Sequence, residues 1–233
     1  MLDTRMHETT MKSILRDIFS DSSLQAQLVF KGGTCLYLFY GLPRFSTDLD
    51  FSLHESVELD EVVVNKVTEI VGKHLDVSEV QDKRFTWFWL GSFEKGKQKV
   101  KVEISKRKFS DLYEQHEFYG LSVPSLSLES MFAHKLCAII DRKQLVNRDL
   151  YDVWWLLGER VKIRNVIVEE RMNMPVVEYL RQVVEYVKEN VNRAQVLQGL
   201  GEVLDQSQKV WVKDKLVDDL LFRLQLRIEE LEK

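Results

Sequence analysis

Two aspartates, Asp48 and Asp50, stand one leucine apart in the stretch KGGTCLYLFYGLPRFSTDLDF at residues 31–51. Over residues 48–53 polar and apolar residues alternate, which is the period of a half-buried strand. Leu49, Phe51 and Leu53 then share one face, and Asp48, Asp50 and Ser52 the other. Two carboxylates placed in this way repel and raise each other's pKa unless a cation sits between them. An oxygen-rich group without thiols suits Mg²⁺ better than zinc. By itself, Asp-x-Asp is equally the mark of a solvent-facing strand edge that carries charge for solubility.

A second segment changes the balance. KVKVEIS at residues 99–105 sets Val100, Val102 and Ile104 on one face, with Lys101, Glu103 and Ser105 on the other. If the two strands are neighbours, Glu103 joins the aspartate pair. Upstream, Gly32 and Gly33 open a helix, where backbone N–H groups and the helix dipole favour a triphosphate, and Thr34 adds a hydroxyl donor. Three convergent carboxylates beside such a helix end form an arrangement for phosphoryl transfer, in which two metal ions align the attacking and leaving oxygens.

The second half of the chain adds a lysine and two acids. In residues 127–157 the apolar residues Leu128, Met131, Phe132, Leu136 and Ile139 form one helical stripe, and Lys135 falls inside it. A lysine is almost never fully buried without a partner, although its stem can pack while the ammonium reaches water. Asn147 is placed to cap the next helix, and Asp149 would sit in its first turn, where the dipole favours an acid. Asp152 lies a turn deeper, beside Leu150, Val153, Trp154 and Leu157, where capping does not account for it.

These residues need elements to hold them. Helical spacing is expected over residues 4–19, 34–40 and 57–75. Strands are expected over residues 26–30, 48–53, 84–93 and 99–104, with EKGK at residues 94–97 as a hairpin turn. The stretch YGLSVPSLS at residues 119–127 is read as a boundary, and nearly everything beyond it as helical, ending in a leucine-spaced helix over residues 213–233. The expected organisation is an α/β lobe, residues 1–120, followed by an all-helical lobe, residues 121–233. Residues 94–109 hold seven basic residues against two acids, which makes either a solvated hairpin or an electrostatic footing for RNA backbone. Trp87, Phe88 and Trp89 are read as core. His54, His74, His116 and His134 show no metal-ligand spacing.

Bulk properties exclude several classes. The 233 residues, 45% hydrophobic and 30% charged, suit one large domain or two lobes. The first thirty residues hold no uninterrupted apolar run, so no signal peptide is expected, and no run of 18 apolar residues suggests a membrane span. Cys35 and Cys137 read as reduced core thiols of a cytoplasmic protein. With a net charge of −4, nucleic-acid binding would need a local basic patch.

The combination G-G-T…G-x-x-R-x-S-x-D-L-D-F, Gly32 to Phe51, resembles the first motif of the AbiEii/AbiGii-type nucleotidyltransferases. These are the toxins of type IV toxin–antitoxin and abortive-infection systems, within the DNA polymerase β-like superfamily. Arg44 and Ser46 match the variant of this subgroup. Thr34 replaces a serine, and Glu103 stands where an aspartate is common. Lys135, Arg148, Asp149 and Asp152 fall where the family pattern expects them.

The resemblance implies a nucleotidyltransferase core, a mixed sheet flanked by helices, with the C-terminal helical lobe completing the active site. It implies transfer of a nucleoside monophosphate from an NTP to an acceptor hydroxyl, with RNA, especially the tRNA 3′ end, as acceptor and a separate antitoxin as partner. Asp48, Asp50 and Glu103 would hold Mg²⁺, with Mn²⁺ as the alternative, and Asp50 or Glu103 would help deprotonate the attacking hydroxyl. Gly32, Gly33, Thr34, Arg44, Ser46, Arg148 and Asp149 would contact the nucleotide. Lys135 would stabilise charge on its phosphates, and Asp152 would act in catalysis or in positioning the lysine. Two other readings compete: the same chemistry on a small molecule or a protein, and a protein that binds nucleotide without turnover.

Overall fold

In the computed structural model, residues 3–55, 57–58, 60–93 and 98–233 are described. The chain divides into two units, residues 1–127 and 128–233. The expected turn at residues 94–97 lies outside the described residues.

The first unit is built on a mixed sheet of seven strands. These are β1 (Leu28–Lys31), β2 (Asp48–Leu53), β3 (Asp76–Lys83), β4 (Thr86–Ser92), β5 (Lys99–Ser105), β6 (Tyr113–Phe118) and β7 (Leu121–Leu126). Their order is β3-β4-β5-β2-β1-β7-β6. The alternation in β2 works as the sequence predicts: Leu49 and Phe51 are fully buried, whereas Asp48 and Asp50 are half-buried. β1 runs antiparallel to β2, and Phe30 lies 5.5 Å from Phe51 between ring centroids. β2 and β5 run parallel and pair Asp48 with Lys101 and Asp50 with Glu103. The two acid-bearing strands are therefore neighbours.

Helices complete this unit. Helix α1 (Thr4–Ser20) is capped by Asp3, whose carboxylate accepts from the Met6 amide at 3.1 Å, and it buries Met11, Ile14, Leu15 and Ile18 at helical spacing. The short α2 (Ser22–Gln25) precedes β1, and α3 (Gly32–Tyr40) follows it without a break. Helix α4 (Glu61–His74) begins on Asp60, which accepts from the Val63 amide at 2.8 Å.

Within residues 119–127, read as a boundary, Leu121–Leu126 forms the strand β7, paired antiparallel with β6 and touching β1 at Ser125, and the second unit begins directly after this stretch, at residue 128. Its glycine forms the tight turn, with Gly120 at φ +78°. Pro124 sits inside the strand beside Gln115.

The second unit is all-helical: α5 (Leu128–Asp141), α6 (Asn147–Gly158), α7 (Asn165–Met172), α8 (Val176–Asn190) and α9 (Gln206–Leu231), with one 3₁₀ turn. Met131, Phe132, Leu136 and Ile139 of α5 are buried, as their stripe predicts. Helix α9 opens with a full capping box between Asp205 and Gln208. Trp154 of α6 packs on Trp211 of α9 at 4.3 Å and donates its indole N–H to Asp219 at 2.5 Å. Among the described residues no helix is long and apolar enough to cross a membrane.

Candidate active site

Parallel pairing of β2 with β5 brings Asp48, Asp50, Lys101 and Glu103 onto one sheet face. Lys101 stands among the carboxylates, its Nζ 3.4 Å from Asp48 Oδ2 and 3.7 Å from Glu103 Oε2. Burial opposes its charge, but the fields of Asp50, Asp48 and Glu103 outweigh burial and hold the ammonium above the ordinary lysine value. Glu103 is pushed up first by burial, against the pull of Lys101 and with the push of Asp50 and Asp48. Phe88 lies across from Glu103 on β4. The Lys83 ammonium sits 3.7 Å above the Phe88 ring, which adds a second cation to this face.

The glycine pair closes the site from the side. Gly32 begins α3 at φ +81°, a left-handed conformation that only glycine adopts without strain. A β-carbon there would collide with Asp50 Oδ2, so the carboxylate lies directly against the first turn of the helix. A β-carbon on Gly33 would come within 2.8 Å of Ser46 Oγ and 2.9 Å of Arg44 Nη2. The preceding residue, Lys31, gives α3 no side-chain cap. The N-terminus of α3 thus offers its amides at the site, where an anion is favoured.

Three residues assigned to the nucleotide have other partners. Thr34 is fully buried and its hydroxyl donates to the Asp48 carbonyl oxygen, so it ties α3 to β2 rather than reaching outward. Arg44 is also buried and donates to the Phe45 carbonyl at 2.9 Å, while Ser46 lies against Gly33. Both brace the glycine turn. His7, which the sequence reading passed over, does similar work: it is buried, its Nε2 donates to the Thr47 carbonyl at 2.9 Å, and its ring meets Phe45 and Phe93 edge-on. An aspartate strand preceded by a fastened residue is held at a fixed height.

All three carboxylates are hard oxygen donors on adjacent strands, which fits a divalent cation such as Mg²⁺. As they stand, Asp48 and Glu103 each turn an oxygen to Lys101. Among the described residues no three His, Cys, Asp or Glu side chains close on a common point.

In the second unit Lys135 is partnered, not escaping to water. Its Nζ lies 3.1 Å from Asp149 Oδ1 and 2.8 Å from Asp152 Oδ2, and Asp149 also meets Arg142 Nε at 2.8 Å. Both aspartates are buried, Asp152 completely. Asn147 is the first residue of α6 and not its cap; its side chain donates to the Gln195 and Gln198 carbonyls. Arg148 is half-buried on the same helix.

Other features are structural. Trp89 is fully buried and donates to Thr68 Oγ1 at 2.9 Å, and Phe88 is buried, whereas Trp87 is half-exposed. In the basic run, Lys106 pairs with Asp82 and Lys108 with Glu58, which favours the solvated reading for that strand end. Cys35 and Cys137 are free, buried thiols; burial pushes Cys137 up to about 11.

The family model for "Nucleotidyl transferase AbiEii toxin, Type IV TA system" matches residues 13–212. The chain belongs to the AbiEii family. It is a nucleotidyltransferase of toxin–antitoxin type, which implies an NTP substrate and an antitoxin partner. Among solved structures, JHP933 from Helicobacter pylori is 22% identical, covers 100% of this chain and 94% of its own, and superposes with a TM-score of 0.61. A second H. pylori protein, assigned as a nucleotidyltransferase, is 23% identical, covers 100% and 97%, and gives the same TM-score of 0.61. At these identities the likeness establishes the nucleotidyltransferase fold. No curated protein sequence matches the chain.

Proposed function

We propose that this AbiEii-family enzyme transfers a nucleoside monophosphate from an NTP to a hydroxyl of RNA, at the tRNA 3′ end, with divalent-metal assistance. The observation that carries the reading is the joining of Asp48, Asp50 and Glu103 on one sheet face to the glycine-opened end of α3. The amides of that helix end suit a triphosphate. Asp48, Asp50 and Glu103 would hold Mg²⁺ or Mn²⁺, which supplies charge neutralisation and alignment of the attacking and leaving oxygens.

Asp50 or Glu103 accepts the proton of the attacking hydroxyl. The new bond joins that oxygen to the α-phosphorus, and pyrophosphate leaves with the bonding pair. Gly32 and Gly33 let the backbone approach the phosphates, and Thr34, Arg44 and Ser46 keep that turn rigid. For Lys135, Arg148, Asp149 and Asp152 the family motif is the support. Asp149 and Asp152 hold the Lys135 ammonium within the second unit, where its charge suits an anion.

For an RNA acceptor, the chain offers a groove of about 620 Å³ beside α1, lined by Arg5, Lys12, Arg16, Tyr119 and the acid Glu8, with which Lys12 pairs. Cations spaced along one helix face, with a highly exposed aromatic ring beside them, suit a phosphate backbone and a stacked base. The enzyme acts in the cytoplasm, where its NTP, RNA and antitoxin meet. The test is pyrophosphate release from each NTP with and without added tRNA. Release that depends on tRNA and is lost in Asp48→Ala supports the reading, and release indifferent to RNA counts against it.

A further inference from the structure

Lys101 has no role in the chemistry above, yet it occupies the centre of the carboxylate group. Its place is set by register: it lies opposite Asp48 on the neighbouring strand, and two residues before Glu103 on its own. The ammonium is 3.4 Å from one acid and 3.7 Å from the other. A lysine seeking only solvent would carry its charge away from the sheet, but this one keeps it between two strands. Without a cation there, three carboxylates on one face would repel one another.

A divalent ion needs direct oxygen bonds at about 2.0–2.6 Å. Asp48 Oδ2 and Glu103 Oε2, two of the oxygens available to supply them, face Lys101. An ammonium beside those two oxygens withholds them from a metal ion and repels its charge.

We propose that Lys101 is a positioning residue that competes with the divalent cation, holding Asp48 and Glu103 in the metal-free protein and setting how much metal the site takes. This rests on the assignment of Asp48, Asp50 and Glu103 as metal ligands.

The test titrates Mn²⁺ into the full chain without nucleotide and reads free Mn²⁺ by electron paramagnetic resonance. Lys101→Met removes the charge and keeps the stem, Lys101→Gln is the second neutral variant should the first fail to fold, and Lys101→Arg keeps the charge. Circular dichroism verifies folding. The neutral variant is expected to bind Mn²⁺ about tenfold tighter or more than wild type, one removed positive charge being worth at least that at such distances. Lys101→Arg is expected to stay near wild type. Equal or weaker Mn²⁺ binding by the neutral variant, with wild type binding normally, overturns the role of Lys101 and leaves the metal assignment standing. If neither wild type nor neutral variant binds Mn²⁺, the ligand assignment falls and this inference with it.

Discussion

Replacing Gly32 by alanine tests the contact between the helix end and the aspartate. Two separate costs are expected. The left-handed backbone, φ +81°, penalises any β-carbon by about 1–2 kcal/mol. The collision with the Asp50 carboxylate adds an overpacking cost of about 1–3 kcal/mol. The total is therefore about 2–5 kcal/mol. A double-mutant cycle with Asp50→Ala separates the two. That change removes Oδ2 and the carboxyl carbon but leaves the Asp50 β-carbon, 3.0 Å from where the new methyl would sit. The backbone cost then persists with part of the contact cost, and a coupling of about 1 kcal/mol or more is expected from the lost carboxylate alone. Urea unfolding of wild type, both single variants and the double variant, followed through the amide resonances of β2 and β5, measures it within the first unit. Costs that add to within about 0.5 kcal/mol would refute the idea that the carboxylate is pressed against Gly32.

Lys135→Met leaves Asp152 buried with its ammonium gone. Chemical denaturation should show a loss of about 3–5 kcal/mol, partly recovered by adding Asp152→Asn; an undiminished stability would mean the cluster is not the tie it looks like. Thr34→Val strips the Asp48 carbonyl of its hydroxyl donor and should cost about 1–3 kcal/mol, whereas Thr34→Ser should restore it, both read from melting curves. Asp21 caps α2 and meets Lys66 at 2.7 Å, and the hydrogen bond from Lys66 chiefly holds its carboxyl below the usual range. A depressed acid stabilises above its unfolded value of 3.8 and loses that contribution as pH falls through the folded one. Asp21→Asn should thus be less stable than wild type at neutral pH, with the gap closing below pH 3.8 in a pH series of melts; a gap that is constant with pH would contradict the pairing.

How much of this was legible in the sequence differs between elements. β2 and β5 announce themselves, because each buries one face completely and alternation records it. β3 was missed because Asp76–Lys83 is an edge strand whose residues are mostly exposed, leaving no apolar period to detect. β6 is likewise an edge strand with few buried residues, whereas β7 escaped for another reason: glycine, proline and serine give residues 119–127 the composition of a linker, and pairing with β6 and β1 overrides it. Alternation placed Lys101 on the face of Glu103, but its position opposite Asp48 depends on parallel pairing, which local spacing does not encode. Thr34 was expected to reach outward because a hydroxyl at a helix start is a ready donor. Its complete burial and its bond to the Asp48 carbonyl follow from how closely α3 meets β2. Lys135 stood out as a charge inside an apolar stripe, and its two buried aspartate partners explain how it is tolerated there.

The central claim is transfer of a nucleotide to RNA by way of the Asp48–Asp50–Glu103 face. The most direct measurement incubates the purified full chain with Mg²⁺, total tRNA and each α-³²P-labelled NTP in turn, beside Asp50→Ala, and resolves the RNA on a denaturing gel. Label in tRNA from at least one NTP with wild type, and none with Asp50→Ala, is the predicted result. No label in RNA from any NTP, or equal label with Asp50→Ala, would contradict it.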